Sequence, residues 1–158
     1  MQIRPLDKTL LADVEQLMQL GEPYVRPRTA SDYWLYAELF ASTCPVAIED
    51  NRVVGAVIAM RNQDRPSDVY VQDVMTHPEW RGRKVATALM GVVIDRAIEW
   101  GCSRLYLTSE PHNAAAGATW QRLGFHNVSG DLDVAGVSVV TDFKGPGKHR
   151  AVYQLHVT

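Results

Sequence analysis

The chain has 158 residues, of which 46% are hydrophobic and 22% are charged, a composition typical of a globular protein and not of a disordered one. Its 16 basic and 18 acidic residues give a net charge of −2, which argues against general nucleic-acid binding because that function needs a basic face. The longest apolar run, from Val53 to Met60, is far shorter than the about 20 residues of a membrane-spanning helix. We therefore expect one domain over residues 1–158, with no nucleic-acid or membrane partner.

The cysteines predict a reducing environment. Cys44 and Cys102 are far apart and have no metal-ligand spacing, so we expect neither a disulfide framework nor a metal site. Residues 1–10 contain no apolar core of signal-peptide length. Together these features favour a cytoplasmic location.

The first part of the chain predicts a strand, then a pair of helices, then a pair of strands. Apolar residues recur at helical spacing after Pro5, and Thr29 and Asp32 have the spacing of an N-terminal capping pair. Asp50-Asn51 is typical of a tight turn between strands. The elements predicted are a strand over residues 2–4, helices over Leu6–Leu20 and Ser31–Ala41, and strands over Pro45–Glu49 and Arg52–Met60.

The second part alternates strands with helices. Gly101 and Gly124 each follow the last residue of a helical pattern, a position that glycine favours. The predicted elements are strands over Asp68–Thr76, Ser103–Thr108, Val137–Phe143 and Ala151–Val157, and helices over Lys84–Trp100 and Asn113–Leu123. This order indicates a mixed α/β fold around one sheet.

The turn Arg81-Gly82-Arg83-Lys84 lies between a predicted strand and a predicted helix. Unpaired N–H groups and the positive end of the helix dipole meet at a helix N-terminus and favour a phosphate there. The glycine lets the backbone approach a ligand closely. The segment therefore predicts a phosphorylated ligand.

This turn resembles the coenzyme A motif of the GCN5-related N-acetyltransferases, the GNAT family, whose pattern is Gln/Arg-x-x-Gly-x-Gly/Ala. Arg81 matches the first position and Ala86 the last, while Lys84 stands where glycine is usual. The preceding run Val74-Met75-Thr76-His77-Pro78 also fits the strand end that precedes the motif in the family.

A second family pattern, Asn-x-x-Ala-x-x-x-Tyr-x-x-x-Gly-Phe, occurs farther along the chain. It matches Asn113, Ala116, Gly124 and Phe125, with Trp120 in the place of the tyrosine. Two motifs in the right order, separated by one helix and one strand, make the resemblance specific. It covers nearly the whole chain and is sharpest from Asp68 to His126.

The resemblance implies a GNAT-like fold, in which a central, mostly antiparallel sheet is flanked by helices and splayed at a cofactor cleft. It implies acetyl-CoA as cosubstrate, no metal, and a possible homodimer, because relatives are often dimers. The pyrophosphate would lie against residues 82–87, and the pantetheine arm would pair like an extra strand with residues 74–76. The implied cofactor contacts are Val74, Met75, Thr76, Arg81, Gly82, Arg83, Lys84, Val85, Ala86, Thr87, Asn113 and Trp120.

The implied chemistry assigns catalytic roles to the backbone N–H of Val74 and to Trp120. A backbone N–H at the strand end, that of Val74 or of its neighbour Met75, would polarise the thioester carbonyl. Trp120 replaces a tyrosine that protonates the departing sulfur in many relatives, and an indole can donate a hydrogen bond but no proton. We expect either a hydrogen bond from Trp120 to the thiolate or a role in packing alone.

The general base is left open by the sequence. An alkyl ammonium with a pKa near ~10.4 must lose a proton before it attacks. Glu110 is the named candidate, Asp73 and His112 are other titratable neighbours, and ordered water is the default route. Strand alternation puts Asp73 on the face opposite Gln72 unless a β-bulge intervenes.

The leading functional hypothesis is acetyl transfer from acetyl-CoA to the primary amine of a small molecule by direct attack. An aromatic second helix and a tail hairpin that enclose a pocket would favour it. An open groove beside the loop of residues 23–28 would instead favour a protein N-terminus or a lysine side chain as acceptor. A non-catalytic CoA-binding sensor is the third alternative.

Overall fold

The computed structural model describes residues 1–157; Thr158, the last residue of the predicted domain, lies outside the described residues. Its main sheet has seven strands in the order β1-β2-β3-β4-β5-β9-β6, and β7 and β8 form a separate hairpin. The strands are β1 Gln2–Pro5, β2 Pro45–Glu49, β3 Arg52–Arg61, β4 Asp68–Thr76, β5 Arg104–Ser109, β6 His126–Asn127, β7 Leu132–Val134, β8 Val137–Val139 and β9 Ala151–His156. Positive φ angles at Asp50 and Asn51 confirm the predicted tight turn between β2 and β3.

The helices are α1 Leu11–Gln19, α2 Ala30–Phe40, α3 Val85–Glu99 and α4 Ala114–Arg122. The capping pair of α2 is confirmed, since Thr29 and Asp32 bond reciprocally to each other's backbone N–H. The helix predicted from Leu6 begins later. Asp7 caps a short 3₁₀ turn there by accepting the N–H of Thr9 at 2.8 Å. Within residues 1–157, no helix is long and apolar enough to span a bilayer.

The sheet has a core on each face. On one face α3 packs against β3, β4 and β5, and on the other α1 and α2 pack against β2, β3 and the end of β4. The α3 face includes Val57, Val71, Leu89, Val93, Leu107 and Phe125, and the α1/α2 face includes Leu17, Met18, Tyr33, Ile58 and Met75. Burial of these apolar side chains fixes the helices on the sheet, and with them the ends of α2, α3 and α4.

The sheet splays between β4 and β5. These strands pair in parallel only from Asp68 to Tyr70, opposite Arg104 to Tyr106, whereas the other neighbouring strands pair antiparallel. Beyond Tyr70, β4 continues to Thr76 without pairing to β5. The mostly antiparallel sheet with a splay, expected from the resemblance, is confirmed.

A β-bulge in β4 changes which side chains share a face. Ile58 and Ala59 are consecutive in β3, yet their partners are Asp73 and Val71, so Gln72 is the extra residue. Ile58 belongs to the α1/α2 core, and Asp73 opposite it therefore lies on that same face. Gln72 lies there too, because its side-chain amide donates to the Tyr36 hydroxyl at 2.9 Å. The exception named in the sequence analysis, a β-bulge, therefore applies, and Asp73 shares a face with Gln72.

The tail departs from the prediction. The strand expected over Val137–Phe143 ends at Val139 and pairs with β7 instead of β9, because the chain turns through Asp142 at a φ of 55°. The following loop is closed by the N–H of Lys144 bonding to the carbonyl of Lys148 at 3.2 Å. Gly147 N–H bonds to the Asp142 carboxylate at 2.8 Å. The result is a compact loop over residues 140–150 that leads into β9.

Candidate active site

A cleft of about 1010 Å³ lies where β4 and β5 separate. It is lined by the end of β4, the start of α3, the end of β5, one side of α4 and parts of the loops 20–29 and 140–150. Every residue predicted to contact acetyl-CoA lines this cleft except Arg83. Glu110 lines it as well, and within residues 1–157 no three His, Cys, Asp or Glu side chains converge as a metal site would require.

Arg83 is engaged elsewhere. Its guanidinium carbon lies 4.6 Å from the ring centre of Trp80, an arrangement typical of a cation–π contact. Trp80 itself lines the cleft. Arg83 therefore supports the wall of the cleft from behind, whereas Arg81 and Lys84 line it directly.

The free edge of β4 directs backbone N–H groups into the cleft. His77 N–H donates to the carbonyl of Val54 on β3 at 2.8 Å, and N–H groups alternate between the edges of a strand. The N–H groups of Val74 and Thr76 therefore point away from β3, toward the gap that separates β4 from β5. The N–H of Met75 points to β3, so Met75 lines the cleft without offering a free N–H to a ligand.

The turn before α3 explains the departure of Lys84 from the family pattern. Lys84 precedes α3 with φ 61° and ψ 25°, the left-handed conformation that glycine adopts without strain. Gly82 also has a positive φ, of 76°, and a Cβ added there would meet nothing within 4 Å. No side chain of residues 1–157 caps α3, so its first N–H groups are free to bind an anion.

Asn113 and Trp120 lie on the α4 side of the cleft and both make internal hydrogen bonds. The Asn113 side-chain oxygen accepts the N–H of Ala116 at 3.1 Å and so caps α4. The indole N–H of Trp120 donates to the Ser109 hydroxyl at 2.7 Å. That bond occupies the indole donor, so of the two roles expected for Trp120 a direct hydrogen bond to the thiolate would require this bond to break.

Ser109 takes part in the site although the sequence gives no sign of it. It is buried at the end of β5 and lines the cleft. Its oxygen accepts from Trp120, while no group within residues 1–157 accepts its own O–H. A buried hydroxyl with a free hydrogen can serve as a donor to a group in the cleft.

Asp73 is the buried acid of the cleft. It is 7% exposed, and its Oδ2 has no hydrogen-bond partner within residues 1–157. Burial raises the pKa of this carboxyl, and the nearby positive charges of Arg28 and Lys144 oppose the rise. A partly desolvated carboxylate with a raised pKa is suited to accept a proton.

Glu110, the acid named from the sequence, has a different environment. Its side chain is 42% exposed, and one oxygen lies 3.8 Å from the guanidinium of Arg26. Arg26 belongs to the loop between α1 and α2 and Glu110 to the segment between β5 and α4, so this ion pair joins two segments that line the cleft. Glu110 is thus placed to hold the loop over residues 20–29, whereas Asp73 is placed to contact a ligand inside the cleft.

The end of the cleft opposite the α3 N-terminus is bordered by basic side chains. Arg28 approaches Asp73, with Nε 4.0 Å from Oδ2, and its Nε has no hydrogen-bond partner within residues 1–157. The Lys144 nitrogen lies 5.7 Å from the ring centre of Tyr70. Lys148 and Arg150 line the same end. We call this region, bordered by loops 20–29 and 140–150 around Asp73, the acceptor end.

Known proteins resemble this chain in sequence and in fold. The family model described as the Acetyltransferase (GNAT) family matches residues 11–125. The chain belongs to this family. N-alpha-acetyltransferase 30 of Schizosaccharomyces pombe is 30% identical over 127 residues, which are 78% of this chain and 82% of that protein.

Another GNAT relative is the L-2,4-diaminobutyric acid acetyltransferase of Nocardia farcinica, 37% identical over 84 residues. Those residues are 53% of this chain but only 44% of that protein, so the chain matches less than half the relative's length. A solved structure of the diaminobutyrate acetyltransferase of Paenibacillus lautus, in complex with its substrate and coenzyme A, has the same fold. It superposes with a TM-score of 0.77 at 16% identity and covers 98% of this chain and 93% of that one.

Proposed function

We propose that the protein is an acetyl-CoA-dependent N-acetyltransferase that acetylates the primary amine of a small molecule by direct attack. One observation carries the proposal. A single cleft connects the uncapped N-terminus of α3 and the free amides of β4 to the largely buried carboxylate of Asp73, which lines it. Acetyl-CoA supplies an activated acetyl group as a thioester, and the residues of the cleft bind it and manage the protons.

The cofactor is held chiefly by backbone groups. The N–H groups of residues 82–87 bind the pyrophosphate, with Arg81 and Lys84 adding positive charge. The β4 edge at Val74 and Thr76 pairs with the amides of the pantetheine arm. The Val74 N–H polarises the acetyl carbonyl, and the amide nitrogen of Asn113 binds the arm from the α4 side.

Asp73 is the general base in this proposal and replaces Glu110 in that role. A base must lie within hydrogen-bond reach of the attacking amine, and burial at the bulge directs Asp73 into the cleft where β4 becomes free. Glu110 is half exposed and paired with Arg26. We assign to Glu110 the closing of the loop over residues 20–29.

Ser109 and Trp120 together receive the leaving thiolate. The Ser109 hydroxyl donates a hydrogen bond to the sulfur, and the indole N–H of Trp120 orients that hydroxyl by donating to its oxygen. A thiol with a pKa near ~8.5 can leave as a thiolate that a hydrogen bond stabilises, so no strong acid is needed.

The ion pair between Arg26 and Glu110 supports a small acceptor. It joins loop 20–29 to the start of α4 and narrows the route by which a peptide would lie across the cleft. A protein acceptor is the second candidate, favoured by the match to N-alpha-acetyltransferase 30 over 82% of its length.

The test is release of free thiol from acetyl-CoA with a panel of small amines, lysine-containing peptides and peptides with free N-termini. Turnover with small amines and none with peptides is the expected result. Turnover confined to peptides would replace the small-molecule acceptor with a protein. Tight acetyl-CoA binding with no turnover on any acceptor would leave the sensor hypothesis.

Location and assembly stay predictions. Cys44 and Cys102 are free and buried, and burial raises the pKa of Cys44 to about 12, so that thiol stays protonated. These thiols support a reducing, cytoplasmic environment. Light scattering on the purified protein tests the predicted homodimer, which a monomeric mass at working concentration would exclude.

A further inference from the structure

We infer that the acceptor carries a carboxylate close to its reactive amine, and that Arg28, Lys144 and Arg150 bind this carboxylate beside Asp73. The inference rests on the proposed function, because it describes the acceptor of the same cleft. It narrows the acceptor from amines in general to amino acids whose amine and carboxylate are separated by a few bonds.

The acceptor end is rich in positive charge, although the chain as a whole is slightly negative. The chain has a net charge of −2, yet Lys144, Lys148 and Arg150 line the acceptor end and none of them lies within ion-pair distance of a carboxylate in residues 1–157. The charges of Arg28 and Lys144 act on the buried carboxylate of Asp73, but one carboxylate does not balance these cations together with Lys148 and Arg150. Such an excess of positive charge in a concave site favours an anionic ligand.

The phosphates of coenzyme A do not account for these cations. The phosphate-binding turn follows the C-terminal end of β4, whereas Lys144 lies over Tyr70 in the paired part of that strand. Tyr70 is six residues from Thr76, which at the rise of a strand is about 20 Å. Arg150 also faces this side, since it alternates with Ala151, whose side chain belongs to the α3 core.

Arg28 and Asp73 form an incomplete pair. Arg28 Nε and Asp73 Oδ2 are 4.0 Å apart without a hydrogen bond between them, and both atoms are buried without any partner in residues 1–157. Leaving such atoms unpaired costs free energy. These two atoms face each other out of reach of a ligand, whereas the rest of the Asp73 carboxylate and of the Arg28 side chain, which is 38% exposed, lines the cleft. An amino acid complements this pair, because its ammonium group donates to the Asp73 carboxylate and its carboxylate accepts from the Arg28 guanidinium.

The backbone of the loop over residues 140–150, which carries these cations, is held by internal hydrogen bonds. The Asp142 N–H donates to His149 Nδ1 at 3.0 Å, and Val140 and Arg150 exchange backbone hydrogen bonds. Binding therefore orders little additional chain, which preserves affinity for a small ligand.

The experiment compares the binding of matched amines to the CoA-loaded protein by calorimetry at low salt. Each pair differs only in the carboxylate: 4-aminobutyrate with propylamine, β-alanine with ethylamine, and L-2,4-diaminobutyrate with 1,3-diaminopropane. We expect at least one carboxylated member to bind about tenfold or more tightly than its partner. Equal binding within every pair, or no binding by any member at millimolar concentration, overturns the inference.

The variants Lys144→Ala and Lys144→Glu test the assigned residues, with Lys8→Ala as a control. Lys144 and Lys8 are both exposed lysines, but Lys8 lies outside the cleft. Both Lys144 variants should lose the preference for the carboxylated amine, and charge reversal should lose more. Retention of the preference in Lys144→Glu, with an unchanged melting temperature, contradicts the assignment.

The outcome for the acceptor is separable from that for the proposed function. Binding is measured without turnover, so a preference for carboxylated amines with no thiol release refutes the acetyltransferase and leaves the anion site. Thiol release with amines that lack a carboxylate, together with no preference in binding, refutes the anion site and leaves the acetyltransferase. A peptide with an acidic second residue that binds better than all the small molecules would reject the amino-acid acceptor.

Discussion

The two ends of the cleft offer different parts of the chain to a ligand. The end at the N-terminus of α3, here called the cofactor end, offers backbone N–H groups of β4 and α3, which are positioned by regular secondary structure. The acceptor end offers side chains on loops 20–29 and 140–150 and at a bulge in β4. Backbone sites tolerate sequence change as long as the turn geometry is kept, whereas side-chain sites do not.

The chain resembles both a diaminobutyric acid acetyltransferase and an N-alpha-acetyltransferase, whose names differ in the acceptor. The choice between these acceptors depends on the acceptor end of the cleft. Variants that damage one end and leave the other intact therefore give the sharpest tests.

The largest effect is expected from Asp73→Asn, which keeps the shape of the side chain but removes the base. We expect kcat/KM to fall by about 10²- to 10⁴-fold, the usual contribution of a general base, with the Kd of acetyl-CoA unchanged. Steady-state kinetics and calorimetry measure the two quantities.

Glu110→Gln is the matched control for Asp73→Asn, because it neutralises the other carboxylate of the cleft. Its kcat should stay within a fewfold of the parent, since Glu110 is exposed and only pairs with Arg26. A loss in Glu110→Gln as large as that in Asp73→Asn would return the role of base to Glu110.

The next effect concerns the sulfur. Ser109→Ala removes the free hydroxyl, and we expect kcat to fall by about 10-fold or more, as for a lost hydrogen bond to a charged group. Trp120→Phe should reduce kcat less, because it removes only the group that orients Ser109. The double variant should be no slower than Ser109→Ala, and additive losses would show that the two residues act independently.

A smaller loss, confined to the cofactor end, is expected from Gly82→Val. A β-branched residue at a φ of 76° is strained by about 1–2 kcal/mol, so the turn shifts and the Kd of acetyl-CoA rises about tenfold. Gly101→Val has nearly the same φ, 73°, and equally open space, but lies at the far end of α3. Gly101→Val should lower the free energy of unfolding as much as Gly82→Val does, but it should leave the Kd of acetyl-CoA unchanged. An equal rise in this Kd in both variants would argue against a phosphate site at Gly82.

Asp73→Asn should also change stability with pH. The groups that face Asp73 are Arg28 and Lys144 on loops and Tyr33 and Tyr36 on α2. Since burial raises the pKa of Asp73 in the folded state, its proton favours folding at low pH, and that contribution is lost as pH rises through the raised pKa. Asparagine has no such dependence. The variant should therefore gain stability relative to the parent from acid to neutral pH, and a constant difference in denaturant midpoints would contradict this.

The smallest effect is expected from Lys84→Gly. Glycine relieves the left-handed strain at φ 61° but is more flexible when unfolded, so we expect a net gain of about 0.5 kcal/mol in the free energy of unfolding. Loss of the ammonium should raise the Kd of acetyl-CoA about twofold. Asparagine also tolerates this conformation, so Lys84→Asn should show the same twofold rise in the Kd of acetyl-CoA as Lys84→Gly. A Kd equal to that of the parent in both variants would exclude Lys84 from the phosphate site.

The cofactor end could be predicted because local sequence determines it. The spacing of Gly82, Asn113 and Gly124 reports turns and helix ends, which depend on neighbouring residues alone. The position of Asp73 could not be predicted, since a bulge depends on how β4 registers with β3. The position of the cations of loop 140–150 in the cleft could not be predicted for a similar reason. The strand predicted over Val137–Phe143 ends at Val139, and the chain then turns.

The extra residue in β4 also limits the length changes that the chain tolerates. Upstream of Gln72 the odd-numbered side chains Val69 and Val71 enter the α3 core, and downstream the even-numbered Val74 does so. Deleting Gln72, the extra residue, would leave Val71 opposite Ala59 and Asp73 opposite Ile58, so the later side chains and amides of β4 would keep their directions. Deleting Val74, beyond the bulge, would instead exchange the faces of Met75 and Thr76. A single-codon deletion at the bulge is therefore compatible with both ends of the cleft and removes only the hydrogen bond from Gln72 to Tyr36, whereas a deletion after it disrupts them.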